Sequence, residues 1–189
     1  MSDAAGCSYD DVFLAATAVV EPGVNLGAGV RIWHHDQVRI AATIGVEVIV
    51  GKDCFIDSGV VSGPRYKIQK GGWLYAPAQL GSGVVVGPGV ILTNDWYPRA
   101  ISTGGRQLSA EGWTTIGGAI GDGASIGAGT VVVCTEVAEW ALVRAGSVVT
   151  PPVIAHSLVA GSPARQIGWV CFCSVREDSE CSECGWRIP

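Results

Sequence analysis

Residues 80–92 read LGSGVVVGPGVIL and repeat with a regular period. An aliphatic residue recurs every six positions, at Leu80, Val86 and Leu92, and a glycine follows the first two. An α-helix repeats about every 3.6 residues and a half-buried strand about every two, so neither produces a six-residue period. Repeats of six residues are typical of a parallel β-helix, in which each hexad forms one short strand and a turn.

The same period extends over much of the chain. Stepping by six from Val20 to Leu92 meets an aliphatic residue at twelve of thirteen positions, with Ser62 as the exception. Glycine often follows the aliphatic residue, where we expect it to let the backbone turn a corner. Three hexads would close one triangular coil with the aliphatic side chains inside. An open β-sandwich with many glycine turns is the alternative, but the hexads keep their register without slippage.

One segment, residues 95–113 (DWYPRAISTGGRQLSAEGW), interrupts the hexads. The repeat resumes at Ile120, and one residue is missing before Val137. An insertion of this length without a repeat of its own is usually functional in a compact domain. We therefore predict an all-β, left-handed parallel β-helix with one excursion loop that leaves a corner of the coil.

The composition indicates one domain, residues 1–168, followed by a small tail, residues 169–189. Hydrophobic residues make up 48% of the 189 residues and charged residues only 15%, which is enough to bury a large core. The N-terminus is acidic, and no apolar run reaches the roughly 18 residues of a membrane span. The net charge of −5 argues against a nucleic-acid partner. We expect a cytoplasmic protein without a membrane or nucleic-acid partner.

Two hexads, residues 32–37 and 92–97, carry polar side chains where the others carry small ones. Each keeps its inward aliphatic residue and then adds polar groups: His34 and His35 in the first, Asn94 and Asp95 in the second. Ordinary solvated turns are the alternative explanation for both. The two hexads are ten hexads apart, which is about 3.3 coils of three hexads each. Because parallel strands lie about 4.8 Å apart, their heights along the coil differ by about 16 Å, and since ten is not a multiple of three they lie on different faces. We expect them to contact two ends of one extended ligand in a groove between parallel subunits.

The tail contains four clustered cysteines, in the spacing C-x-C, seven residues, C-x2-C. They are Cys171, Cys173, Cys181 and Cys184. Disulfides are rare in cytoplasmic proteins, whereas four thiolates at such spacing are typical of a tetrahedral Zn²⁺ site of the rubredoxin-knuckle kind. Four protein ligands leave no open position for a substrate. We therefore predict a structural zinc site in the tail.

Five segments carry a more specific pattern than the hexads alone. They are RIWHHDQV (31–38), YKIQKGGWLY (66–75), LTNDWYPRA (92–100), DGASIGAGT (122–130) and VAGSPARQIGW (159–169). With these segments the chain resembles the hexapeptide-repeat acyltransferases, and most closely the nucleotide-sugar N-acetyltransferases among them. The resemblance implies a homotrimer with active sites between neighbouring helices. It also implies transfer of an acetyl group from acetyl-CoA to the amine of a nucleotide-linked amino sugar.

The resemblance implies roles for individual residues. Asn94 and Asp95 would position the sugar amine, and His34, His35, Asp95 or the departing CoA thiolate could accept its proton, which leaves the general base open. The residues implied to bind the nucleotide sugar are Arg31, His35, Lys67, Gln69, Trp96 and Arg99. The residues implied to bind CoA are Trp113, Gly161, Ser162, Pro163 and Arg165.

Other functions of the same fold fit the residues less well. A γ-type carbonic anhydrase needs three histidines at a spacing that the three histidines of this chain lack. O-acetyltransferases of this fold usually carry a catalytic histidine near the loop, and residues 93–114 contain none. A non-catalytic trimeric scaffold would explain the coil but not its polar hexads. The family pattern is broken at residues 70–72 and 76–77, which leaves the sugar and the acyl group open.

Overall fold

The computed structural model describes residues 11–109, 114–173 and 180–188, and these contain short β-strands and no α-helix. The strands before the excursion loop are β1 Phe13–Leu14, β2 Val19–Val20, β3 Asn25–Leu26, β4 Arg31–Ile32, β5 Gln37–Val38, β6 Thr43–Ile44, β7 Ile49–Val50, β8 Phe55–Ile56, β9 Val61–Ser62, β10 Lys67–Ile68, β11 Trp73–Leu74, β12 Gln79–Leu80, β13 Val85–Val86 and β14 Ile91–Thr93. Those after it are β15 Ala119–Ile120, β16 Ser125–Ile126, β17 Val131–Val133, β18 Glu136–Val137, β19 Leu142–Val143, β20 Val148–Val149, β21 Ser157–Gly161 and β22 Ala164–Trp169.

Every third strand joins the same sheet, which produces three sheets named A, B and C here. Sheet A has the order β1-β4-β7-β10-β13-β16-β19-β21-β22, sheet B the order β2-β5-β8-β11-β14-β17-β20, and sheet C the order β18-β15-β12-β9-β6-β3. In the early coils paired residues lie eighteen positions apart, as with Phe13 and Arg31 or Arg31 and Ile49. Three hexads therefore close one coil, and the predicted parallel β-helix is confirmed.

The excursion loop lies between β14 and β15, as the sequence predicts. Ile91 pairs with Val131 across the loop, forty positions on, so the coil continues in register after the insertion. Val131 in turn pairs with Val148, only seventeen positions on, which agrees with the missing residue. Within the loop Ile101 and Gln107 form an antiparallel bridge, so part of the loop is a small hairpin that the sequence did not predict.

The aliphatic residue of each hexad lies inside the coil and packs against the next coil above and below. Ile32, Val50, Ile68, Val86 and Leu92 are all essentially inaccessible to solvent. Burial of such side chains provides about 1.5–3 kcal/mol each relative to exposure, so the stacked interior is the main source of stability. In the described residues no helix combines the length and the hydropathy that crossing a bilayer requires.

The glycines that follow the aliphatic residues are required for a different reason from the one predicted. Their backbones do not adopt positive φ; the left-handed turn positions are occupied by a second set, which includes Gly83 and Gly89. A Cβ on Gly27 would lie 2.6 Å from the Val46 amide nitrogen, and one on Gly87 would lie 2.7 Å from the Ala128 nitrogen. The close approach of the neighbouring coil excludes a side chain at these positions.

Ser62 breaks the aliphatic pattern beside an unusually large inward residue. Tyr66 is the largest fully buried side chain of the described residues and lies in the same interior. Ser62 is also buried, and its hydroxyl donates to the Thr43 carbonyl at 3.2 Å. We attribute the small side chain at Ser62 to the volume that the Tyr66 ring occupies, because the interior is close-packed.

Candidate active site

The two histidines occupy the turn between β4 and β5. His34 Nδ1 lies 2.9 Å from the Thr17 hydroxyl oxygen, and the His35 amide donates to the same oxygen at 3.1 Å. His35 has a φ of 63°, in the left-handed region that non-glycine residues seldom adopt. Both rings are exposed, with their centroids 6.2 Å apart. Thr17 of the preceding coil thus holds the turn while both imidazoles stay accessible.

A buried carboxylate supports this turn from inside the coil. Asp36 is only 1% exposed and stands at a hexad position where the neighbouring hexads carry Val30 and Ala42. Its two oxygens accept hydrogen bonds from the Trp33 amide at 2.9 Å and the Cys54 amide at 2.8 Å. Burial raises the pKa of Asp36 to about 7, although both amides favour the carboxylate. We did not identify Asp36 from the sequence, where an ionisable residue at an inward position was the available indication.

A cavity of about 350 Å³ adjoins His35 on the sheet B side of the turn. Aromatic side chains dominate its wall, and the Phe55 and Tyr75 ring centroids lie 5.5 Å apart. Its lining residues are His35, Gln37, Asp53, Cys54, Phe55, Trp73 and Tyr75. The cavity therefore offers one imidazole and one carboxylate beside two aromatic rings in tilted contact.

Asn94 lies at the start of the excursion loop, directly after β14. The side-chain amide nitrogen of Asn94 donates to the Ala76 carbonyl at 2.7 Å, and the backbone carbonyl of Asn94 accepts from the Ile116 amide at 3.0 Å. Asn94 therefore ties the two ends of the loop to the coil below. Its side-chain oxygen remains the group that could accept a hydrogen bond from a substrate amine.

The residues after Asn94 form a second cavity with the loop, of about 290 Å³. Asp95 is partly buried, and one of its oxygens accepts a hydrogen bond from the Tyr97 amide at 2.7 Å. The residues that line this second cavity are Asp95, Trp96, Tyr97, Arg99, Leu108, Thr114 and Ile116. Trp113, a predicted CoA contact, lies outside the described residues.

The histidine turn and Asn94 lie at opposite edges of sheet B. The turn precedes β5 and Asn94 follows β14, with β8 and β11 between these strands. Three steps of about 4.8 Å give a height difference of about 14 Å, close to the separation predicted from the hexads. The structure of one chain therefore does not bring the two groups into contact.

Two of the predicted nucleotide-sugar contacts project from sheet A. Arg31 and Lys67 are exposed and occupy the two strands that flank β7. Gln69 follows β10 and is exposed as well, while its backbone carbonyl accepts the Cys54 thiol at 3.2 Å. Arg31 and Lys67 therefore lie on the sheet A side of the histidine turn, whereas the Gln69 backbone contacts Cys54, a lining residue of the cavity beside His35.

The predicted CoA residues form the tip of the antiparallel hairpin β21–β22. Gly161 has a φ of 102°, which favours glycine, and its amide donates to the Ser147 hydroxyl at 3.3 Å. Ser162 and Pro163 are exposed at the tip. Arg165 is exposed and lines a cavity of about 170 Å³ against the last coil. The structure therefore brings four of the predicted CoA residues together, far along the coil from the histidine turn.

The four tail cysteines converge on one point. Their sulfur atoms all lie within 4.8 Å of one another, and Cys171 Sγ and Cys181 Sγ are 3.2 Å apart. In a tetrahedral ZnS₄ centre the Zn–S bonds of about 2.3 Å place the sulfurs about 3.8 Å apart, so this arrangement fits the ion. Gly185, with a φ of 68°, follows Cys184 at the turn that such a knuckle needs.

Aromatic contacts attach this cysteine cluster to the last coil. His156 stacks on Trp186 with ring centroids 4.5 Å apart and meets Phe172 edge-on at 4.8 Å. Its Nδ1 lies 3.0 Å from the carbonyl oxygen of Val170, whose amide donates to the His156 carbonyl at 2.8 Å. Phe172 also contacts Trp140 of the coil. The knuckle is thus packed against the β-helix.

No protein-family model matches the chain. Among curated proteins it is 41% identical over 70 residues to the dTDP-3-amino-3,6-dideoxy-α-D-galactopyranose 3-N-acetyltransferase of Aneurinibacillus thermoaerophilus, covering 34% of this chain and 36% of that protein. It is 35% identical over 101 residues to serine acetyltransferase 4 of Arabidopsis thaliana, covering 48% of this chain and 25% of that protein. The chain thus spans about a third or less of the length of these relatives.

Among solved structures the acetyltransferase domain of PglB from Neisseria gonorrhoeae, in complex with acetyl coenzyme A, has a TM-score of 0.51. The two chains are 20% identical, and the similarity covers 83% of this chain and 58% of the other. At that identity the likeness shows the shared fold alone. The two curated relatives are acetyltransferases, which confirms the resemblance to acyltransferases.

Proposed function

From this resemblance we propose that the protein transfers an acetyl group from acetyl-CoA to the amine of a nucleotide-linked amino sugar. The observation that carries the proposal is the 41% identity over 70 residues to an amino-sugar 3-N-acetyltransferase. Asp95, which lines the loop cavity, and Asn94 directly before it support the proposal, because an amine acceptor needs hydrogen-bond acceptors that orient its lone pair.

In the proposed reaction the free amine attacks the thioester carbonyl, the C–S bond breaks, and CoA leaves as its thiol after taking up the proton. The Asn94 side-chain oxygen accepts a hydrogen bond from the amine, since its nitrogen is engaged by Ala76. The free oxygen of Asp95 contributes a second acceptor beside it. Holding amine and thioester within contact distance supplies much of the acceleration.

We further propose a homotrimer in which sheet B faces the threefold axis. In six of the seven strands of this sheet the first residue, which faces outward, is apolar: Val19, Phe55, Trp73, Ile91, Val131 and Val148. Trp73 is 44% exposed in the single chain, and an apolar face of this kind is typical of a subunit contact. In sheet C the equivalent residue is polar in four of the six strands, as asparagine, threonine, glutamine and glutamate.

This orientation would complete the active site. When three sheet B faces surround an axis, the edge of one chain that carries the histidine turn meets the neighbour's edge that carries Asn94. An extended substrate in that groove could contact both, at heights about 14 Å apart. Acetyl-CoA would approach from the hairpin tip at residues 161–165.

For the cysteine cluster we propose a structural Zn²⁺ held by Cys171, Cys173, Cys181 and Cys184. The ion would fold the tail and, with all four positions taken by protein, would take no part in the reaction. Such thiolates persist in a reducing compartment, so the proposal places the protein in the cytoplasm. Elemental analysis of protein purified without chelator tests it, with one zinc per chain expected.

The activity is tested by release of CoA thiol from acetyl-CoA in the presence of a panel of nucleotide amino sugars. Serine and an antibiotic acceptor belong in the same panel, because the similarity to serine acetyltransferase 4 makes O-acetylation the second candidate. Rapid release with an amino-sugar nucleotide supports the proposal. Release only with serine or another hydroxyl acceptor contradicts it.

A further inference from the structure

The lysines of this chain are confined to one part of the coil. The protein has a net charge of −5 and only three lysines, Lys52, Lys67 and Lys70. Arg31 projects from the same sheet as Lys67, on the far side of a single intervening strand. An acidic protein that places all its lysines in one patch has a local surface suited to an anion.

The backbone stacks two of these lysines directly beneath the histidine turn. The Asp53 amide donates to the His34 carbonyl at 3.1 Å, and the Gly71 amide donates to the Lys52 carbonyl at 3.0 Å. His34, Lys52 and Lys70 therefore occupy the same corner in three successive coils. With coils about 4.8 Å apart, the two ammonium groups can span neighbouring phosphates.

A cavity of about 370 Å³ lies at this corner, on the opposite side of the turn from the cavity beside His35. Its lining residues are Trp33, His34, Gly51, Lys52 and Lys70. The Trp33 ring is 41% exposed, yet it is held by Phe13, whose ring centroid lies 5.3 Å away, and its amide is fixed by Asp36. Gly51 contributes only backbone to the wall, and the next coil leaves little room for a side chain, because a Cβ there would meet the Lys70 amide nitrogen at 3.0 Å.

The positive charges of the patch are largely uncompensated. Among the described residues Lys52 pairs with Asp53 at 2.9 Å, whereas no carboxylate lies within 4.0 Å of Arg31, Lys67 or Lys70. A planar aromatic face beside two cations, of which Lys70 is unpaired among the described residues, suits a ligand that joins a base to phosphates. The base can stack on the indole while the phosphates contact the ammonium groups.

We propose that this cavity binds the nucleoside diphosphate part of a substrate, with Trp33 against the base and Lys52 and Lys70 on the phosphates. Lys52 lies outside the segments that carry the family resemblance, and Trp33 lies within one of them but is assigned no role by the resemblance. The inference rests on the proposed function, because that function supplies the two substrates that contain such a group. The nucleoside diphosphate belongs either to the nucleotide-linked sugar or to the 3′-phosphorylated ADP of CoA. Both sources share the chemistry that the cavity recognises.

Isothermal titration of the full-length protein with dTDP, UDP, GDP and adenosine 3′,5′-bisphosphate tests the proposal. Lys70→Gln and Trp33→Ala should each weaken binding of the recognised nucleotide about tenfold, by losing a charged hydrogen bond or a stacking contact. Asp53→Asn should tighten binding instead, because it removes the carboxylate that competes with phosphate for Lys52. Asparagine also tolerates the φ of 62° at this position.

Arg65→Asn is the matched control, because it removes a positive charge at a different corner and keeps a residue that tolerates the local φ of 55°. It should leave the affinity unchanged. The nucleotide whose affinity falls in both Lys70→Gln and Trp33→Ala identifies the source. If Lys70→Gln and Trp33→Ala bind every nucleotide with the same affinity as Arg65→Asn does, the proposed site is wrong.

Turnover separates this proposal from the proposed function. Nucleotide binding that responds to the variants, without acetyl transfer to any amino sugar, leaves the site standing and refutes the function. Acetyl transfer with the same KM for both substrates in wild type, Lys70→Gln and Trp33→Ala leaves the function standing and refutes the site. Higher salt should weaken wild-type binding more than Lys70→Gln binding, since the lost interaction is electrostatic.

Discussion

Asp36 couples the stability of the coil to pH. Its pKa rises from 3.8 to about 7 on folding, mainly through burial, so the folded protein binds this proton more tightly than the unfolded chain. The contribution of this proton to the free energy of unfolding is fully present below about pH 4 and is lost as the pH rises toward 7. This difference amounts to about 4 kcal/mol at most.

Urea unfolding of wild type and Asp36→Asn between pH 5 and 8 measures this effect. The free energy of unfolding of wild type should fall more steeply with pH between 5 and 7 than that of Asp36→Asn, which has no proton to lose. The variant should also be less stable throughout this pH range. The backbone amides of Trp33 and Cys54 both donate to the Asp36 carboxylate, and in the variant one of these donors would face the NH₂ group of the asparagine, which is itself a donor. Parallel pH slopes would show that Asp36 does not titrate in this range.

Asn94 is the residue whose loss should affect turnover most. Asn94→Ala removes the proposed acceptor for the amine and also the hydrogen bond to the Ala76 carbonyl. We expect kcat to fall about 100-fold, which is the scale of misplacing a reacting group. His34→Ala should reduce kcat less, because the histidine turn lies about 14 Å away in height along the coil.

Asn94→Asp is the control for this comparison, since it keeps an acceptor oxygen and loses the amide donor. It should retain more activity than Asn94→Ala. Turnover of Asn94→Ala close to wild type, or below that of His34→Ala, would show that Asn94 does not position the amine.

At the scale of the strand, Ser62 and Tyr66 should behave as a pair. Ser62→Val restores the hexad pattern, yet it should destabilise the protein by about 1–3 kcal/mol because the Tyr66 ring already fills that space. The change also removes the hydroxyl that donates to the Thr43 carbonyl. Thermal or urea unfolding measures the effect.

The double variant Ser62→Val, Tyr66→Val provides the test of this pairing. It should be more stable than the sum of the two single changes predicts, since residues in contact do not act additively. Additive free energies would mean that Ser62 is small for another reason.

The elements could be predicted from the sequence because a six-residue period fixes both the strand and the turn. Leu92, the last inward residue before the loop, marked where the coil would be left, and the structure agrees. The role of Gly27 was misjudged, since it depends on how closely the next coil approaches and not on the local φ. The Ala76 contact of Asn94 was equally hidden, because it joins residues eighteen positions apart through the stacking of coils.

For the whole molecule, the cysteine knuckle should act as a metal-dependent clamp on the last coil. Removal of zinc with a chelator should release Trp186 and Phe172 from His156 and lower the melting temperature by about 5 °C or more. Cys184→Ser should begin at the lower melting temperature and should not respond to chelator. An unchanged melting temperature in metal-free wild type would contradict the clamp.

N-acetylation of a nucleotide-linked amino sugar can be tested by identifying the product of the reaction. The protein is incubated with acetyl-CoA and dTDP-, UDP- and GDP-linked amino sugars, each beside its hydroxy analogue, and the products are analysed by mass spectrometry and NMR. We predict one acetyl group on the sugar nitrogen, equimolar CoA thiol, and no reaction of the hydroxy analogues. Acetyl groups on sugar oxygens, or no acetylation of any amino sugar, would contradict the account.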